Sequence, residues 1–95
     1  MIDVLRLSKK AGKLKIGTTQ VLKSLKNAKI IILAKDYSSK DKILKIAKKL
    51  NKEVFILDLS KKELGEIFNR DELGIVSIND EQLYKLFLNK KEVER

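Results

Sequence analysis

Residues Gly17 to Lys23 read GTTQVLK, placing a bare backbone position, two hydroxyls, a carboxamide and an ammonium within seven residues. At about 100° per residue, Gln20, Lys23, Ser24 and Asn27 fall on one side of a helix, flanked by Thr19 and Lys26. Val21, Leu25 and Ala28 fall opposite, with Leu22 beside them. The wet side carries no acid. This set suits recognition rather than catalysis. The first amides of a helix have no intrahelical acceptor, and the positive end of the dipole attracts phosphate. Lys23, one turn in, can neutralise a second phosphate. Gln20 offers donors and an acceptor to a base edge. Thr18 caps the helix or Gly17 does, Thr19 adds a hydroxyl, and Gly17 lets a backbone approach without a Cβ in the way. Nucleic-acid recognition needs backbone anchors together with a base reader. An ordinary solvated helix face has the same spacing.

The remaining composition narrows the function classes. Cysteine and histidine are absent, which removes disulfides, thiolate metal sites and the usual general base. Asp36, Asp58 and Asp80 follow strands or open helices, where loops host chemistry in α/β folds. No nucleophile–base pair, metal-ligand spacing or nucleotide-type glycine loop accompanies them. The expectation is a non-enzymatic protein without metal, cofactor or small-molecule substrate. The 95 residues carry a formal charge of +9. Residues 1–52 hold 15 Lys/Arg against 3 Asp/Glu, whereas residues 53–95 hold 7 against 10. A cationic half of this kind suits a polyanion. A lysine-rich bias or charge enrichment for heat tolerance is the competing explanation. No apolar run reaches membrane-spanning length, and the start MIDVLRLSKK lacks a signal-peptide core. A cytoplasmic monomer is expected.

The elements that must position these residues alternate helix and strand. Met1 to Ala11 fits a helix with Ile2, Leu5 and Val4 inward, ended by Gly12 as a left-handed cap. KLKI alternates with period two, so Leu14 and Ile16 share a face. KIIILA and EVFIL read as strands buried on both faces. SSKDKILKIAKKL puts Ile43, Ile46, Ala47 and Leu50 on one stripe. In SKKELGEIF, Ser60 and Glu63 have capping-box spacing, with Leu64, Ile67 and Phe68 inward. GIVSI is a strand. NDEQLYKLF is a helix capped by Asn79, with Leu83, Leu86 and Phe87 inward. The order α-β-α-β-α-β-α-β-α predicts an α/β three-layer α/β/α sandwich around a small, mostly parallel sheet. One domain is expected over residues 1–88, with a frayed tail at 89–95.

GTTQVLKSLKNAKIIILAKD resembles the RNA-binding signature of the ribosomal L-seven-Ae/L-thirty-e superfamily of kink-turn binders. The similarity is strongest to its small bacterial members of the YlxQ type. The pattern is a glycine, polar residues around an Asn-Glu or Lys-Gln pair, a Lys three further on, and a strand ending in Ala-x-Asp. It falls here on Gly17, Thr18, Thr19, Gln20, Lys23, Ala34, Lys35 and Asp36. KKELGEIF matches the family's Lys-x-x-Leu-Gly helix, and the similarity spans roughly Leu5 to Phe87. The resemblance implies an α/β/α sandwich with a four-stranded mixed sheet. It further implies RNA docking on the second helix and two adjacent loops, where bent RNA with tandem sheared G·A pairs is gripped. Gly17 would then allow close approach, Gln20 would contact a guanine edge, and Lys23 and Lys35 would contact phosphate. Two positions depart from the pattern. Thr19 is shorter than the usual Asn or Lys. The loop NRDELG, where members place small apolar residues against flipped-out bases, offers only Leu73 as an apolar group and carries Asp71 and Glu72. That implies weaker binding or a target other than a standard kink-turn.

Three further readings stand beside this one. The lysines around residues 40–52 fit a solvated helix face or a diffuse phosphate footprint. Tyr37 fits either base stacking or partly exposed packing. For the whole chain, a protein-interaction module on the same fold and a nonspecific cationic binder are the alternatives to specific RNA recognition.

Overall fold

The computed structural model describes residues 1–93. Its elements are α1 (Ile2–Lys10), β1 (Leu14–Ile16), α2 (Thr18–Lys23), a 3-10 turn (Leu25–Asn27), β2 (Ile30–Leu33), α3 (Lys40–Lys49), β3 (Glu53–Ile56), α4 (Lys61–Ile67), β4 (Ile75–Ile78) and α5 (Glu81–Val93). The order matches the sequence reading, with the 3-10 turn added. Helix α5 runs on to Val93 through most of the expected tail. The last two residues of that tail lie outside the described residues.

The sheet has the order β1-β4-β2-β3. β2 and β3 are parallel, while β4 is antiparallel to both β2 and β1. The sheet is therefore mixed, not mostly parallel as alternation alone predicts. The cause lies after α4. That helix ends with Asn69 at φ 57°, and Arg70 N–H turns back to Gly65 O at 2.9 Å. The returning loop fits because Gly65 has no Cβ, which would sit 2.7 Å from Arg70 O. Leu73 N–H then reaches Lys61 O at 3.0 Å, at the start of the same helix. The chain thus enters β4 from the end of the sheet at which it left β3, and β4 must run backwards.

Strand periodicity divides the core. Ile30, Ile32 and Ala34 face one cluster with Val4, Leu5, Leu64, Phe68 and Phe87, from α1, α4 and α5. Ile31 and Leu33 face the other with Val21, Leu25, Ala28, Ile43 and Ala47, from α2, the 3-10 turn and α3. This is the three-layer sandwich, and β2 is buried on both faces as KIIILA predicts. EVFIL is not. β3 is an edge strand, and Ile56 is 43% exposed. A run of apolar residues does not distinguish the edge of a sheet from its centre when one side packs beneath a helix. Ile2 and Leu50 also point outward, at 37% and 51% exposure. Each sits at the first residue or the cap of its helix, where the stripe no longer meets the sheet.

Local signals otherwise operate as read. α1 ends in a Schellman motif around Gly12 (φ 73°), with Gly12 N–H to Lys9 O and Lys13 N–H to Ser8 O. Ser60 and Glu63 form the full capping box of α4. Asn79 does not cap α5. Asp80 Oδ2 accepts from Leu83 N–H at 3.0 Å, while Asn79 Oδ1 accepts from the buried Ser77 hydroxyl.

Candidate functional site

Gly17 joins β1 to α2 at φ 89°, ψ 158°, a region open essentially to glycine alone. Its N–H donates to Ile75 O at 3.0 Å, extending the β1–β4 ladder by one bond. Its carbonyl accepts the first intrahelical bond, from Val21 N–H at 3.0 Å. The amides of Thr18, Thr19 and Gln20 are thereby left without an acceptor inside the helix. Val21 is fully buried and pins the helix to the sheet. Thr18, Thr19, Gln20 and Lys23 are all exposed.

A clasp not anticipated from the sequence fixes this corner. Thr18 Oγ1 and Tyr37 OH share a hydrogen bond at 2.6 Å. The Tyr37 ring lies over Gly74, where a Cβ would overlap ring atom Cδ1 and come within 2.8 Å of Cε1. Gly74 O in turn accepts from Ala34 N–H at 2.9 Å. The start of α2, the end of β2 and the entry to β4 are therefore bound together at one end of the sheet. Tyr37 takes the packing role. Gly74 next to a strand was visible in the sequence, but no periodicity connects it to a tyrosine 37 residues earlier.

The Ala34–Asp36 segment contributes differently from position to position. Ala34 is buried and its backbone serves the fold, the N–H donating to Gly74 O at 2.9 Å and the carbonyl accepting from Tyr37 N–H at 3.1 Å. Lys35 is exposed, and its Nζ stands 3.6 Å from Asp58 Oδ1. Exposed pairs of this kind contribute about 0–1 kcal/mol, so the ammonium can change partners. Asp36 turns to the fold, its Oδ1 accepting from Lys61 N–H at 2.7 Å and supplementing the capping box of α4. In that box the Ser60 backbone N–H, and next its hydroxyl, hold the Glu63 carboxyl below the usual carboxylate range.

Leu73 does not reach the surface. It is 4% exposed and packs in the core with Leu57, Leu64 and Phe68, because the loop folds back along α4. The loop instead presents Asn69, Arg70, Asp71 and Glu72 to solvent, and Glu72 lies 3.9 Å from Lys61 Nζ.

Helix α2 is shorter than the pattern predicts. Ser24 Oγ bonds back to Gln20 O at 2.9 Å and the chain tightens into the 3-10 turn, a competition serine hydroxyls commonly offer. A helix of six residues has a short dipole, so what the Gly17 end offers an anion is its individual amides and the exposed Lys23. The carbonyls at the far end are satisfied by Lys52, whose Nζ donates to Lys26 O at 2.9 Å and Ala28 O at 3.1 Å. Lys26 belongs to that far end and lines a groove with Lys13, Lys15 and Lys29, apart from the Gly17 corner.

Among the described residues no cluster of acids could hold a metal ion, and no helix is long and apolar enough to cross a membrane. What remains is a small α/β/α domain presenting a rigid, acid-free polar corner and a lysine-rich flank. The chain belongs to the ribosomal protein L7Ae/L30e/S12e/Gadd45 family, whose model matches residues 1–87. Members of this family are generally non-enzymatic RNA-binding proteins. Among solved structures, a protein of unknown function from Bacillus halodurans C superposes with a TM-score of 0.81 at 21% identity, covering 93% of this chain and 92% of that one. That similarity is one of fold. No curated protein matches the sequence.

Proposed function

We propose that this protein recognises structured RNA of the kink-turn kind, sharply bent and containing sheared G·A pairs, and that it belongs with the small bacterial YlxQ-type members of its family. In this reading Gly17 brings its backbone against the RNA, and the amides of Thr18, Thr19 and Gln20 meet phosphate oxygens. Gln20 reads a guanine edge and Lys23 neutralises a phosphate. Lys35 exchanges Asp58 for a second phosphate. Asp36, Leu73 and Ala34 act through the fold. The protein acts in the cytoplasm as a monomer, on ribosomal or other structured RNA.

The observation that carries this reading is the exposure of Gln20 and Lys23 beside three amides lacking helical acceptors, on a corner held rigid from three sides. A flexible corner would lose part of its binding free energy in ordering itself. The test is a gel-shift titration against a kink-turn RNA and a control with the G·A pairs disrupted. The expected result is clear preference for the intact RNA. Equal affinity for both would reduce the protein to a nonspecific cation.

A further inference from the structure

We propose that the groove beneath the 3-10 turn is a second phosphodiester-binding surface, which takes the RNA backbone beyond the Gly17–Lys23 corner. The inference rests on the RNA-binding reading above and extends it to a surface with no role in the corner.

The groove has a volume of about 490 Å³ and is open to solvent, with Lys13, Lys15, Lys26, Lys29, Asn27 and Asn79 on its walls. The four lysines come from three stretches of chain: the α1–β1 turn with β1, the 3-10 turn, and the residue before β2. Main-chain hydrogen bonds fix all three. Lys13 N–H is held by Ser8 O in the Schellman motif, Lys13 O accepts from Asn79 N–H at 2.8 Å, and Lys29 N–H donates to Ile78 O at 2.8 Å. The lysine stems therefore start from a rigid frame.

Charge is poorly compensated there. Among the described residues, Lys13, Lys15 and Lys26 have no ion-pair partner. Lys29 stands 3.7 Å from Glu81, but that carboxylate also faces Lys85 at 4.0 Å and both groups of the Lys29 pair are about half exposed. Four ammonium groups around one concavity repel one another, and an anion lying among them relieves that repulsion. The amides of Asn27 and Asn79 add neutral donors suited to phosphate oxygens. The groove is too open to enclose a small molecule, which a binding pocket normally does. A charged polymer backbone running along it fits the shape.

Position links the groove to the corner. Lys26 lies three residues beyond Lys23 on the same continuous segment. By helical rise, about 14 Å separates it from Gly17. One RNA strand can therefore leave the corner and continue into the groove.

The test compares the protein with a Lys13→Gln/Lys15→Gln/Lys29→Gln variant. Affinity is measured against salt concentration on the kink-turn RNA, with each stem in turn trimmed or lengthened by about one helical turn. Lys13→Gln alone provides a milder second variant, and thermal melting monitored by circular dichroism checks that each variant is folded. On the RNA with the relevant stem lengthened, the triple variant should shallow the salt slope by about two units, and Lys13→Gln by part of that. On the trimmed RNA the variants should match the wild type. Preference for intact over G·A-disrupted RNA should persist throughout. An unchanged slope on every long RNA would overturn the groove, as would equal slope losses on long and trimmed RNA. Failure of the corner reading would look different: the wild type itself would not distinguish intact from disrupted G·A pairs.

Discussion

Gly74→Ala is the most direct perturbation of the corner, because the substituted atom touches no RNA-facing group. The backbone at Gly74 is not in the left-handed region, so alanine meets no conformational penalty there. Its Cβ would overlap the Tyr37 ring instead. The ring must move, and overpacking of this type costs about 1–3 kcal/mol. Moving it also breaks the Thr18–Tyr37 hydrogen bond, which contributes about 0.5–1.5 kcal/mol. The expected loss is about 2–4 kcal/mol, or roughly 8–32 °C in melting temperature for a domain of this size. In a Tyr37→Ala background the clash is gone. There the same substitution should cost less than about 0.5 kcal/mol, or stabilise slightly by restricting the unfolded chain. Urea denaturation of the four proteins in this double-mutant cycle measures the coupling, expected from these figures at about 1.5–4 kcal/mol. An equal cost of Gly74→Ala in both backgrounds would refute the clasp as the reason for glycine at this position.

Three further outcomes are expected. Lys23→Ala should shallow the salt dependence of RNA binding by about one unit, and an unchanged slope in gel-shift titrations would remove Lys23 from the interface. Gln20→Ala should lower the preference for intact over G·A-disrupted RNA by roughly 1–3 kcal/mol; an equal loss of affinity for every RNA would mean that Gln20 is not a base reader. Glu63 has a carboxyl whose folded-state pKa lies below 4.5, so its contribution is complete above about pH 4.5 and is lost as pH falls through the lower folded value. Glu63→Gln should therefore flatten the acid limb of the stability–pH curve, and an acid limb identical to that of the wild type would show that the capping box is not a titrating element.

How much of this was legible in the sequence depends on the range of the forces involved. Elements set by neighbours along the chain were readable: the Ser60–Glu63 box, the Gly12 cap, the two-faced burial of Ile30 to Leu33 and the Gly17 corner. Elements set by distant contacts were not. The direction of β4 depends on a loop that returns along α4 through Gly65, and the same return draws Leu73 into the core. The edge position of β3 depends on strand order, which periodicity does not encode. The cap of α5 moved from Asn79 to Asp80 because Ser77, buried and in need of an acceptor, takes the Asn79 carboxamide. The Thr18–Tyr37–Gly74 clasp joins three segments with no shared pattern, so nothing local announces it.

The acidic loop Asn69–Gly74 looked unfavourable for a phosphate-binding surface, and the packing shows which carboxylates around it have partners. Glu72 faces the Lys61 ammonium, Asp36 is turned to the Lys61 amide, and Asp58 faces Lys35. Each of these carboxylates has a positive or donor partner in the free protein, which reduces the field it projects, although the exchange proposed for Lys35 would take that partner from Asp58. Asp71 alone in this group has no such partner among the described residues. The repulsion implied by a sequence reading of the loop is therefore offset at Glu72 and not at Asp71. The Gly17–Lys23 face itself contributes no acid, as the proposed phosphate contacts require.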